Sequence, residues 1–214
     1  MAGRSANLPA AAVARRAARV RLVGLDVDGV LTDGRLYFGS RGEALKAFDV
    51  RDGLGIQLLR AAGIGVAIVT GRSSAIVAAR ARDLGISQVL QGQRDKHAGW
   101  QRLMSGGGLT AAECAFMGDD WPDLAVLVSV GLAATVADAP EEVRRRVHWV
   151  APSTGGRGAV RDLAALILRA QGRFDGMFAA ALQPAPFVAA PGADAPAPRR
   201  RAAPRAVKAG AAHG

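Results

Sequence analysis

Short, almost unbroken apolar runs alternate along the chain with longer stretches in which apolar residues return every three or four positions. The runs at residues 20–27, 65–70, 88–90 and 114–118 predict strands buried on both faces, with a fifth at 131–135. Between them, residues 52–61, 73–84, 96–104 and 121–127 carry helical spacing. This alternation predicts an α/β fold, a parallel sheet with helices on both faces. Thr110 and Glu113 have the spacing of a capping box that opens a turn before the fourth strand.

One segment, residues 35–48, departs from the alternation. Arg35-Leu36-Tyr37-Phe38, a Gly39-Ser40-Arg41-Gly42 turn and Glu43 to Phe48 predict a small β-hairpin. Two short strands cover little surface, so Tyr37 and Phe38 are expected to stay partly exposed unless another surface meets them.

A length of 214 residues suits one α/β domain with a full core. We expect an N-terminal extension over residues 1–18, a folded domain over 19–183 and a disordered tail over 184–214, where Ala, Pro and Arg dominate. The formal charge of +10 would fit a nucleic-acid partner if it lay on the domain. It lies at the ends instead. Residues 1–21 hold five arginines and no acid, and residues 190–214 hold five basic residues against Asp194, which leaves only +1 on residues 22–189. Nucleic-acid binding is therefore not expected as the main function. Arginines interrupt every apolar run short of the roughly 20 residues a membrane span needs. The single cysteine, Cys114, has no disulfide partner, and no secretory signal pattern opens the chain, so a cytoplasmic protein is expected.

The candidate chemistry follows the strands. Asp26-Val27-Asp28-Gly29 leaves the first strand at the carboxyl edge of the sheet, where open parallel sheets bind ligands. Asp26 is placed to act as nucleophile and metal ligand, and Asp28 to deliver and later remove a proton. A second acidic cluster, Gly118-Asp119-Asp120-Trp121-Pro122-Asp123, leaves the fourth strand on the same edge. Converging carboxylates repel, and a hard divalent cation such as Mg2+ relieves that repulsion. Thr70, at the end of the second strand, offers a hydroxyl to phosphoryl oxygens, and Lys96, opening a helix, offers a compact positive charge. Taken singly, each has a plain reading: an Asp-Gly turn, acids at a helix start, a strand-end threonine, a surface lysine. Their joint order, each after its own strand, points to phosphoryl chemistry.

These four elements resemble the four motifs of haloacid dehalogenase (HAD) superfamily phosphatases. Three further segments, Asp26 to Gly34, Val50-Arg51-Asp52-Gly53-Leu54-Gly55-Ile56 and Thr154-Gly155-Gly156-Arg157-Gly158-Ala159, resemble the 3-deoxy-D-manno-octulosonate 8-phosphate (KDO 8-phosphate) phosphatase family. The similarity spans residues 19–172. It implies a Rossmann-like HAD fold with a small hairpin insertion and no separate cap domain. It also implies a Mg2+-dependent phosphomonoesterase of lipopolysaccharide precursor synthesis, and a homotetramer in which the hairpin closes a neighbour's site.

Carried onto this chain, the resemblance makes Asp26, the main-chain carbonyl of Asp28, and Asp119 the metal ligands. Asp28 would be the general acid/base, Thr70 and Lys96 the phosphoryl-binding residues, and Asp123 the group that positions Lys96. Asp120 would support the metal. Asp49, Val50, Arg51, Asp52 and Gly53, with Arg72, Arg80 and Arg157, would contact the sugar acid along with Asp28 and Lys96. Ala125 stands where relatives often have proline, and Gln57 where some have arginine. A phosphatase for a nine-carbon sialic-acid-type sugar phosphate shares every motif. A response-regulator receiver shares the acids, Thr and Lys, but lacks a partner equivalent to Asp28.

Overall fold

A computed structural model describes residues 8–183. Six strands form one parallel sheet, in the order β5-β4-β1-β6-β7-β8: β1 Leu22–Leu25, β4 Gly65–Val69, β5 Gln88–Leu90, β6 Cys114–Met117, β7 Leu132–Thr135 and β8 Trp149–Val150. The hairpin strands, β2 Tyr37–Gly39 and β3 Gly42–Leu45, pair antiparallel in a separate two-stranded sheet. The helices are α1 Ala10–Ala17, α2 Val50–Ala61, α3 Ala75–Asp83, α4 Lys96–Gly106, α5 Leu124–Leu127, α6 Glu141–Arg144, α7 Ala159–Ala170 and α8 Phe174–Ala181.

The chain runs outward from β1 through α2 to β4 and through α3 to β5, then crosses back through α4 to β6 and outward again. Right-handed connections place the helices of the two directions on opposite faces. Accordingly α1 and α2 both pack on α7, and α4 packs with α5. The reversal makes β1 the switch strand, with β4 and β6 at its sides in register: Leu25 pairs with Ile68 on one side and Met117 on the other. All four residues of β1, β6 and β7 are buried, as their unbroken apolar runs require of strands covered on both faces.

Each expected strand is present, within one or two residues of its bounds. The Thr110–Glu113 capping box is formed, Thr110 N–H donating to Glu113 Oε2 at 2.9 Å. Three features differ from expectation. β8 is only two residues long, too short to announce itself in the pattern. The helical stretch expected over 121–127 divides into a 3-10 turn at Trp121–Asp123, with Pro122 at its start, and the short α5. Part of the expected N-terminal extension is a helix of the domain: α1 buries Val13 and Ala17 and packs on α7, and Arg16 hydrogen-bonds the Gly131 carbonyl at 2.5 Å. The expectation for the 184–214 tail lies outside the described residues. No helix among the described residues is long and apolar enough to cross a membrane.

Candidate active site

Asp26 follows β1 directly, and its N–H donates to the Met117 carbonyl at 3.0 Å, so the β1–β6 pairing carries through to the first acid. The loop beyond it is pinned by Thr32. Its buried hydroxyl donates to the Val27 carbonyl at 3.3 Å and accepts from Gly34 N–H at 3.2 Å. Gly29 adopts φ +91°, and a Cβ there would overlap the Asp119 carboxylate. Only glycine lets the two acidic loops approach this closely.

Lys96 arrives from the far side of the sheet because of how α4 packs. Asp95 caps the helix, accepting from Ala98 N–H at 2.9 Å. One turn on, Trp100 packs edge-on against Phe116, with ring centroids 5.4 Å apart and 72° between planes. Both rings fill the space above Gly24 of β1, where a Cβ would lie 2.5 Å from each. A glycine inside a strand thus sets the approach of α4, and with it the position of the buried Lys96.

The Lys96 ammonium lies 2.7 Å from Asp123 Oδ1 and 3.0 Å from Asp26 Oδ1. The other Asp123 oxygen accepts from the N–H groups of Asp119 and Asp120 at 3.2 and 3.4 Å, so both of its oxygens have donors. Asp26 Oδ1 is less well served. Lys96 is near it, but off the line of a hydrogen bond, and among the described residues the buried oxygen has no hydrogen-bond partner.

Asp26, Asp119 and Asp123 bring carboxylate oxygens within 4.8 Å of one another. Burial first, and then the Asp123 charge, push Asp26 up to about 7 despite Lys96. Burial and then Asp26 push Asp119 up to about 7. Burial alone would lower Lys96, yet the Asp26 and Asp123 carboxylates outweigh it and hold its ammonium above the usual range. An underserved buried oxygen beside crowded acids is the environment that a hard divalent cation satisfies. Asp123 is already committed to Lys96 and two N–H groups, so Asp26 and Asp119 are the side chains with oxygens to spare.

Thr70 lies just past β4 and is buried, its carbonyl accepting from Gln93 N–H at 3.0 Å. Asp28 faces the same edge with its side chain one-fifth exposed, and Arg72 Nε lies 3.6 Å from its Oδ2. Asp120 caps the 3-10 turn through Trp121 N–H at 2.7 Å.

The residues expected at the sugar separate into two groups. Asp52 is buried, accepting from Gly158 N–H at 3.2 Å and Arg161 N–H at 2.9 Å at the start of α7. Asp49 caps α2 through Arg51 N–H at 2.7 Å and pairs with the Arg51 guanidinium, which also donates to the Arg157 carbonyl at 2.9 Å. Together they tie the 154–158 loop to α2. Gly156 N–H in turn donates to the Val30 carbonyl at 2.9 Å, which seats that loop against the nucleophile loop. Val50, Gln57 and Arg157 are exposed, while Arg80 stacks 5.9 Å from the Phe48 ring with its guanidinium against Gly53.

Two charged residues at the site escaped the sequence reading. Lys46, at the foot of the hairpin, is buried, and its ammonium contacts Asp28 and lies 3.1 Å from Glu43. Glu43 in turn accepts from the Ser74 hydroxyl. Residues three apart in an extended segment point to opposite faces, so nothing in the pattern marks Glu43 and Lys46 as a pair.

No family model matches the chain. It is 45% identical over 164 residues to the 3-deoxy-D-manno-octulosonate 8-phosphate phosphatase KdsC of Yersinia pestis, covering 77% of this chain and 88% of that protein. A solved 3-deoxy-D-manno-octulosonate 8-phosphate phosphatase from Moraxella catarrhalis, in complex with magnesium ion, phosphate ion and KDO, is 43% identical, with a TM-score of 0.77. That match covers 78% of this chain and 97% of that one. A Legionella pneumophila chain described as a HAD superfamily (subfamily III A) hydrolase is 42% identical, with a TM-score of 0.77 over 80% of this chain and 94% of that one.

Proposed function

The chain belongs to the KDO 8-phosphate phosphatase family of HAD hydrolases, and on that premise we propose that it hydrolyses KDO 8-phosphate to KDO and phosphate. It is a phosphomonoesterase. The observation that carries this reading is the convergence of Asp26, Asp119 and Lys96 at the switch strand, with an underserved carboxylate oxygen at its centre. The cofactor is Mg2+, held by the Asp26 and Asp119 carboxylates and the Asp28 main-chain carbonyl, and it supplies positive charge that offsets the phosphoryl oxygens.

Phosphoryl transfer is catalysed mostly by positioning and electrostatics. The free Asp26 oxygen attacks phosphorus in line while the bond to the sugar oxygen breaks. Asp28 gives its proton to that departing oxygen, then takes a proton from the water that hydrolyses the aspartyl-phosphate. Lys96 and Thr70 hold the phosphoryl oxygens, and Asp123 fixes the Lys96 ammonium. The sugar acid meets Arg72, Arg80 and Arg157, with Asp49 to Gly53 shaping that side of the cleft.

We assign the enzyme to the cytoplasm and to a homotetramer. Support for the assembly is the hairpin's apolar surface: Leu36, Tyr37, Phe38 and Leu45 are all exposed, with Phe38 at 63%. A site without a cap domain gains closure if that surface reaches a neighbour. The test of function is phosphate release from KDO 8-phosphate with Mg2+ and with a chelator, beside a nine-carbon 9-phosphate. Failure to release phosphate from the eight-carbon acid at saturating Mg2+ overturns the substrate assignment.

A further inference from the structure

We infer that Lys46 is a positioning residue for Asp28, holding the general acid/base in the orientation that leaves one carboxylate oxygen free to carry the proton. The inference rests on the phosphatase reading and goes beyond it to a residue of the hairpin.

Lys46 is an unusual lysine. Its side chain is only 1% exposed, although it lies just beyond the end of a small surface hairpin. Burying an ammonium is costly unless its donors are satisfied and its charge is paired. Its charge is paired by two acids: Asp28 Oδ1, with which it forms a charge-assisted hydrogen bond, and Glu43 Oε1, an ion-pair contact at 3.1 Å that lies off the line of a hydrogen bond. Glu43 is itself held, its Oε2 accepting from the hydroxyl of Ser74, the residue that caps α3 through Val77 N–H. An unbroken set of polar contacts therefore runs from the start of α3, through Glu43 and Lys46, to Asp28. It joins the segment after β4 to the loop after β1.

The two Asp28 oxygens are treated differently. Oδ1 is tied to Lys46, whereas Arg72 Nε approaches Oδ2 only to 3.6 Å, beyond hydrogen-bond distance. Among the described residues, Oδ2 receives no hydrogen bond. This is the arrangement a proton carrier needs. As the Asp26–phosphorus bond forms and the bond from phosphorus to the leaving oxygen breaks, the proton on Oδ2 passes to that oxygen, whose electron pair would otherwise leave as a bare alkoxide. An Asp28 side chain free to rotate, one-fifth exposed and carried on a loop, would spend much of its time misaligned. A misplacement of about 1 Å costs on the order of 10²-fold in rate.

A lysine that merely fastened the hairpin would leave the chemistry insensitive to the leaving group. A lysine that orients the acid would not, since poor leaving groups depend on proton delivery and good ones do not. The experiment measures kcat/KM, which extends through leaving-group loss, for a series of substituted phenyl phosphates with wild type, Lys46→Met and Lys46→Arg. Phosphates without the sugar keep the outcome separate from the KDO 8-phosphate assignment, which stands or falls on its own assay.

We expect Lys46→Met to lose on the order of 10²-fold on the most basic leaving groups. It should lose only several-fold on p-nitrophenyl phosphate, so the dependence on leaving-group basicity steepens. Lys46→Arg should recover most of the wild-type slope. Should Lys46→Met fail to fold, Glu43→Gln, which removes the lysine's second anchor, is expected to steepen the slope less but in the same direction. Equal losses across the series, giving a line parallel to wild type in whichever variant folds, would overturn the inference, as would no loss at all.

Discussion

Asp123 grips the Lys96 ammonium at 2.7 Å with one oxygen while the other collects the N–H groups of Asp119 and Asp120. One buried carboxylate thereby ties α4 to the loop that carries Asp119. Asp123→Asn would remove the charge and turn either an amide N–H toward the ammonium or the amide nitrogen toward two donors. Breaking a buried pair on one side costs on the order of 3–5 kcal/mol. We expect a clear drop in unfolding temperature by calorimetry, together with weaker inhibition by inorganic phosphate, because Lys96 is no longer held over the phosphoryl site. A variant with wild-type phosphate inhibition would show that Lys96 is fixed by other means.

Metal and proton compete for the same acids. Asp26 and Asp119 are both pushed up to about 7 in the metal-free fold, well above their value in an unfolded chain. An acid with a raised folded-state pKa binds more protons folded than unfolded, so metal-free stability falls as pH rises from about 4 to about 7. Above that window the penalty is fully present, and a cation relieves it. The increase in unfolding temperature on adding Mg2+ should therefore be small at pH 5 and large at pH 8. An increment that does not change with pH would argue against these acids as the binding site.

Asp26→Asn removes the nucleophile and one of the repelling charges together. Phosphate release should vanish. Without metal at pH 8, the unfolding temperature should remain near wild type, because relief of the buried charge offsets the partner lost to Lys96. Asp28→Asn should slow turnover by roughly 10²- to 10⁴-fold, the usual cost of losing general acid/base help. Turnover by Asp26→Asn measured on freshly purified protein would exclude the covalent route.

Asp52 lies in a segment matched to substrate binding, yet both oxygens of its carboxylate accept from N–H groups at the start of α7. Asp52→Ala strands two N–H donors, one of them buried, at a cost of roughly 1–3 kcal/mol. The expected signature is a lower unfolding temperature with kcat at 25 °C largely kept. A collapse of kcat without loss of stability would return Asp52 to the substrate.

The central strands and the acids at their edge were legible because β1, β4, β6 and β7 lie in almost unbroken apolar runs and each acidic cluster directly follows one. Asp26 and Asp119 could be placed on one edge before any coordinates, since parallel strands end on the same side. Lys46 and Glu43 were not legible, because their role depends on how the hairpin folds back over Asp28, a tertiary fact without a periodic trace. The packing role of Asp52 was hidden for a related reason. Its partners, Gly158 and Arg161, lie more than 100 positions away, and nothing local distinguishes a carboxylate that caps a distant helix from one that meets a ligand. Gly24 shows the limit from the other side: a glycine in a strand signals close approach, but only the structure names Trp100 and Phe116 as what approaches.

The hairpin supplies the remaining prediction. Its foot is held on its own subunit through Lys46 and Glu43, while Tyr37 and Phe38 project apolar surface at 38% and 63% exposure. Among the described residues, three-residue β2 against four-residue β3 has no second layer to cover that surface. Closed symmetry would let each subunit give one hairpin and receive another, burying aromatic side chains and excluding water from a cleft that lacks a cap domain. Replacing Tyr37 and Phe38 together by Ser leaves the Lys46–Asp28 contact in place, so the chemistry should persist while assembly fails. Light scattering should show the wild type as a tetramer and the double variant as smaller species. KM for KDO 8-phosphate should rise at least severalfold, while kcat on p-nitrophenyl phosphate, which needs little grip on a sugar, should change much less. A wild type that is monomeric and fully active, or a double variant that stays tetrameric with an unaltered KM, would remove the hairpin from the shared site.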